Sequence, residues 1–359
     1  MLSLLLIAQL SLKSLEPFVQ IPIASHLDPT HLEYAHDAQF EYLATPAGLY
    51  RAPLAGGPLQ RIAFDDAQIH AVAVDDGALY VLKGNGSSNT SPDHTLLRST
   101  DHGATFTPID AGLLDCAGEE CRYLVANRIA FGPQHLFVNA GGNVLATADD
   151  GATWSLLHGL PYNGKPTSQI CPVQFERSGE RMILGGECPL DIAWLHAGTL
   201  RPDLLDWAVE PQPVVTPELE NRNVQFIRDL GNGVVFAGIE GALLKSIDGG
   251  ASFVFIIHHA IEDAVAYPYV GHLVRSSRDP ELLVAGGFDK KDNDGYLVWS
   301  EDGGATWRDA SAMVGASYVV LLAEDADGRM IIGLQHGDRI TLAEVVLGAR
   351  GKRRASGVR

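Results

Sequence analysis

One octapeptide pattern, S/T-x-D-x-G-x-T/S-W/F, occurs four times in the 359-residue chain. The copies are STDHGATF (Ser99–Phe106), TADDGATW (Thr147–Trp154), SIDGGASF (Ser246–Phe253) and SEDGGATW (Ser300–Trp307). Their aspartates stand at 101, 149, 248 and 302, so the spacings are 48, 99 and 54. The middle spacing is close to twice either of the others, which predicts a degenerate copy near residue 200, in the stretch Ala193–Ala208. A fixed period of roughly 50 residues is the mark of a stacked or radial repeat architecture.

The same order of elements precedes each copy. An apolar strand leads to a turn rich in Asp, Gly or Pro, then to a second apolar strand, then to a short strand entering the octapeptide. His70–Gly84, Ile129–Gly142 and Val224–Gly238 show the pattern, and seven such units can be counted. Short β-branched and aromatic runs bounded by turn residues are hairpin signals. No segment sustains the 3.6-residue apolar period of a helix. These features predict an all-β chain forming a single seven-bladed β-propeller of four-stranded antiparallel blades over residues 17–349, because radial closure leaves few open strand edges. The last unit supplies three strands, Tyr318–Ala323, Arg329–Leu334 and Arg339–Val346. The spare strand near residues 17–24 is therefore expected to close the ring in the last blade.

Charge excludes some partners. The formal net charge is −18, and residues 350–359 hold five of the 26 Lys and Arg, so residues 1–349 carry 21 − 44 = −23. A body this acidic repels nucleic acid and anionic lipid. Residues 350–359 form a basic tail expected to be disordered. No apolar run reaches the length of a membrane-spanning helix. The apolar residues 1–16 read either as a weak secretion signal or as a buried N-terminal segment. Four cysteines in two local pairs, Cys116 with Cys121 and Cys171 with Cys188, fit disulfides and point to a secreted or periplasmic monomer.

The octapeptides resemble the Asp boxes, or BNR repeats, of sialidase-like, sortilin-like and photosystem II assembly-factor-like propellers. In physical terms Asp101, Asp149, Asp248 and Asp302 can accept hydrogen bonds from their own turns. Gly103, Gly151, Gly250 and Gly304 supply positive φ, and Phe106, Trp154, Phe253 and Trp307 fill the gap between neighbouring sheets. The turns are thus expected to be structural. The resemblance implies that ligands bind on the face opposite the boxes. It does not extend to sialidase activity: the nearest string to the family's F-R-I-P motif is Phe18–Pro22, where Gln20 replaces the arginine of the carboxylate clamp.

Candidate ligand residues follow from that face, at the starts of innermost strands and the ends of second strands. They are His70, Lys83, Arg128, Asn223, Glu240, His272 and His336, joined by the adjacent pair His258 and His259. Imidazoles and carboxylates suit a polar ligand or a divalent ion at the channel mouth, but no H-x-H, H-E-x-x-H or C-x-x-C spacing supports a metal, and no cofactor is expected. The expected function is a non-catalytic binding or scaffold module for a protein or glycan, with a glycan hydrolase or lyase using these carboxylates and histidines as the alternative.

Overall fold

The computed structural model describes residues 10–14, 21–22, 32–65, 67–84, 95–109, 128–132, 135–140, 143–158, 172–188, 192–214, 223–259 and 267–347. They form seven antiparallel sheets; six are assembled in chain order from the innermost strand outward, and the seventh takes its outermost strand from the N-terminal residues. The innermost strands of blades 1 to 7 are Glu33–His36, Gln68–Asp75, Arg128–Gly132, Pro172–Ser178, Val224–Asp229, Pro268–Arg275 and Tyr318–Glu324. Among the described residues the only helical segment is a single 3-10 turn, Ser311–Met313. The architecture is a seven-bladed β-propeller.

Burial explains why these segments are strands. The second strand of blade 5, Val235–Ile239, is buried at every position, since sheets cover both of its faces. A strand in that situation reads as a continuous apolar run rather than an alternation. The outer strand of the same blade, Val254–His258, is exposed at both ends and half-buried between them. The core lies between blades. Phe137 of blade 3, for example, packs in one cluster with Phe175, Met182 and Trp207 of blade 4.

The four octapeptides fold identically, as turns between third and fourth strands. In the last, Ser300 Oγ donates to Asp302 Oδ1 (2.7 Å) and accepts from Gly304 N–H (2.8 Å). Asp302 in turn accepts from Thr306 N–H (2.8 Å) and Thr306 Oγ (2.5 Å). The same bonds recur around Asp101, Asp149 and Asp248. The glycine two residues on has φ between +81° and +85° in all four copies, a conformation that favours glycine. The aromatic at the end packs on the preceding blade: Trp154 Nε1 donates to the Ile109 carbonyl (3.3 Å), and Trp307 meets Phe236 edge-on at 6.3 Å. Blade 4 makes its equivalent turn at Arg201–Asp206, inside the stretch expected to hold the degenerate copy. The bonded Asp is replaced by an Arg201–Asp206 ion pair (3.2 Å), and Trp207 fills the aromatic's place, donating to the Leu157 carbonyl.

The ring closes through N-terminal residues in two pieces. Ile21–Pro22 pairs with Ile340 and Arg339, within the span expected to close it. The longer piece lies upstream: Leu10–Ser14 pairs with Ala343–Leu347 as the outermost strand of blade 7. Leu12 packs against the core between blades 6 and 7, so its apolar character serves the ring.

Five innermost strands carry a one-residue register slip at the same level, after Ile69, Pro172, Val224, Val270 and Val319. A bulge re-aims the side chains that follow it. The second strands leave room for this. A Cβ on Gly238 would strike both the Phe226 ring and the Val270 carbonyl oxygen of the next blade.

Candidate functional site

In an antiparallel blade the first-to-second and third-to-fourth connections share a face. Each innermost strand therefore runs toward the octapeptide face, and its start lies on the other. On that other face the structure gathers some of the expected residues and separates the rest.

The gathering is at the junction of blades 5 and 6. Glu240, 9% exposed, sits in the tight turn after Val235–Ile239 and bridges Tyr269 of the next innermost strand. Its N–H donates to the Asn223 carbonyl (3.1 Å), and Asn223 Oδ1 is buried without a hydrogen-bond partner among the described residues. His259 N–H donates to Gly241 (2.7 Å), and His258 packs on Phe255 at 4.6 Å. Elsewhere the candidates stand apart. Lys83 lies 5.4 Å from the Phe64 ring centre, His70 is the bulged residue of blade 2, Arg128 opens the innermost strand of blade 3, and His336 is exposed at the end of Met330–His336. Cys116, Cys121 and Cys171 fall outside the described residues, and the backbone of Cys188 ends the second strand of blade 4.

His272 departs from its expected place. The strand begins four residues earlier, at Pro268, so His272 follows the bulge and lies inside the channel. There it joins the wall of a central cavity of about 530 Å³, to which all seven innermost strands contribute. Gln174, Phe226 and Leu321, the residues just after three other bulges, line it as well. Most of the lining comes from strand ends, so this cavity occupies the octapeptide half of the channel. Burial raises the Tyr34 phenol, on its wall, well above the ordinary value of 10, and raises the neighbouring Glu41 carboxyl above 4.5.

Residue-type reasoning missed an aromatic array on the opposite face. Tyr269 stacks on Phe288 across the strand pair (4.7 Å between ring centres, 24° between planes). Phe288 continues to Tyr318 of blade 7 (5.3 Å), and Tyr269 meets Tyr267 edge-on (5.9 Å). Lys290 Nζ donates to Tyr269 Oη (2.9 Å). Asp289, 8% exposed, accepts from the N–H groups of Tyr267 (3.0 Å) and Lys291 (2.9 Å), fixing the hairpin behind the array. The available signal was an aromatic at or next to a strand start, Tyr318 and Tyr269, with Phe288 next to the end of a neighbouring strand.

Among the described residues no three His, Cys, Asp or Glu side chains group as metal ligands, and no helix is long and apolar enough to cross a membrane.

Fold and channel define the class, a seven-bladed propeller with a polar-lined central cavity. Among solved structures the chain is similar to YCF48 from Cyanidioschyzon merolae, at 15% identity over 91% of this chain and 98% of that one, with a TM-score of 0.60. It is also similar to the GH74 xyloglucanase from Xanthomonas campestris (17% identity, 91% and 53% coverage, TM-score 0.61). A chain of the mitotic checkpoint complex matches at 14% identity, 93% and 92% coverage and a TM-score of 0.63. The chain spans about half the length of the xyloglucanase. At these identities the likeness is one of fold. No family model matches the chain, and no curated protein does.

Proposed function

We propose that the chain is a non-catalytic binding propeller of the Asp-box type, engaging a glycan on the face opposite its octapeptide turns. The observation that carries this reading is the half-buried array of Tyr269, Phe288 and Tyr318 beside Glu240 and Asn223. Sugar rings present apolar C–H faces to aromatic rings and hydroxyls to carboxylates and amides. An amphipathic wall of this kind fits a saccharide chain better than it fits an ion. The Asp-box assignment is supported by four turns with one hydrogen-bond set and one glycine conformation.

A panel of neutral oligosaccharides, scored for both retention and turnover, tests the proposal. Retention without new reducing ends is expected, and Tyr269→Ala should weaken it about tenfold, the equivalent of roughly 1.4 kcal/mol. Turnover would favour the glycan hydrolase or lyase. Retention untouched by Tyr269→Ala would sink the assignment of the face, and a panel with no retained member would shift the choice to a protein partner.

The even cysteine count supports export to an oxidising compartment. Protein purified without reductant should then resist alkylation. Two or four added groups by intact mass would contradict it.

A further inference from the structure

The octapeptide half of the channel holds groups that a face-bound glycan leaves unused. Gln174 of blade 4 lines the central cavity and is 8% exposed, yet its amide has no hydrogen-bond partner among the described residues. An amide open to a cavity is satisfied by water or by whatever enters. Arg275 of blade 6 lines the same cavity, and its guanidinium makes no ion pair or hydrogen bond among the described residues.

Three carboxylates stand on this wall, Glu33, Asp229 and Glu324, and each is already engaged. Glu324 Oε1 accepts from Ser277 N–H (2.7 Å), and Asp229 Oδ1 accepts from Gly231 N–H (2.8 Å). In a ring of seven, blade 6 stands across from the boundary of blades 2 and 3. Those two blades contribute Val72, Val74 and Phe131 to the lining, and no charged side chain. Arg275 and Gln174 share the wall with Arg228, His272, Glu33 and His36, and only the side built by blades 2 and 3 is wholly apolar.

We propose that this cavity binds a small organic carboxylate with an apolar body. Its carboxylate would pair with Arg275, its body would lie against Val72, Val74 and Phe131, and Gln174 would meet its polar edge. A guanidinium is the side chain best shaped to hold a carboxylate, through two parallel N–H bonds. The volume, about 530 Å³, lies within the range of small-molecule sites. The net charge of −18 does not oppose this at working salt, since charges beyond about 10 Å are largely screened.

Titration calorimetry with 3-phenylpropionate and its neutral isostere 3-phenylpropionamide tests the site. The acid should bind about threefold to fivefold more tightly than the amide, as a bidentate pair on an exposed guanidinium allows. Arg275→Gln should abolish that preference while leaving the thermal midpoint unchanged, because the side chain is exposed and unpaired. Gln174→Leu should weaken both ligands. Equal affinity for acid and amide, a preference that survives Arg275→Gln, or no saturation by the acid at 50 mM, roughly the weak limit for a specific site, would each overturn the proposal. The Tyr269→Ala variant should bind the acid as the wild type does, so the channel site and the face-bound glycan succeed or fail separately.

Discussion

Asp302 shows how a residue that looks like a ligand spends its chemistry on its own turn. The Thr306 hydroxyl and amide, with the Ser300 hydroxyl, hold its carboxyl at about 2, below the ordinary 3.8. Asp149 and Asp248 are held at about 2 by Thr153 and Ser252, and Asp101 is held lower still by Thr105. Each folded carboxylate therefore binds a proton less readily than the unfolded chain does. The linked stability is complete above about pH 4 and is lost as the pH falls toward 2. Thermal midpoints should drop steeply between pH 4 and 2. A variant with all four aspartates changed to Asn should lose part of that slope and be less stable than the parent at pH 7; an unchanged slope would contradict the assignment. The same residues explain why the turns were readable from sequence. Hydroxyl, carboxylate, glycine and hydroxyl cooperate within eight residues, so no distant part of the chain is needed to interpret them.

Pairing between elements sets the limits of that legibility. The pairing of Leu10–Ser14 is not legible in the sequence, because its partner, Ala343–Leu347, lies more than 300 residues away and no local signal links them. Removing residues 1–14 should cost at least about 2 kcal/mol, from the lost packing of Leu12 and five residues of strand pairing, and should lower the thermal midpoint by several degrees. A truncated chain as stable as the parent would show that Ile21–Pro22 closes the ring alone. The bulges set a second limit. Counting from turn residues places His272 at a strand start, whereas the strand begins at Pro268 and slips register after Val270. Four residues of depth in a channel separate the mouth from the interior, and composition alone does not resolve them. The array of Tyr269, Phe288 and Tyr318 was hidden for a related reason, since it spans three strands in two blades.

For the whole molecule, seven blades divide the surface into two faces of different make-up. The octapeptide face is stapled by short turns that satisfy their own polar groups. The other face carries the half-buried aromatics Tyr269, Phe288 and Tyr318 beside Glu240 and Asn223. Between them the channel carries its own mixed set of groups. Hydrogen–deuterium exchange of the chain saturated with its best-retained oligosaccharide tests this division most directly. Protection is predicted over Tyr267–His272 and Phe288–Asp294, with no change in Ser99–Phe106, Thr147–Trp154, Ser246–Phe253 or Ser300–Trp307. Protection confined to those four turns would contradict it and make the octapeptide face the binding surface.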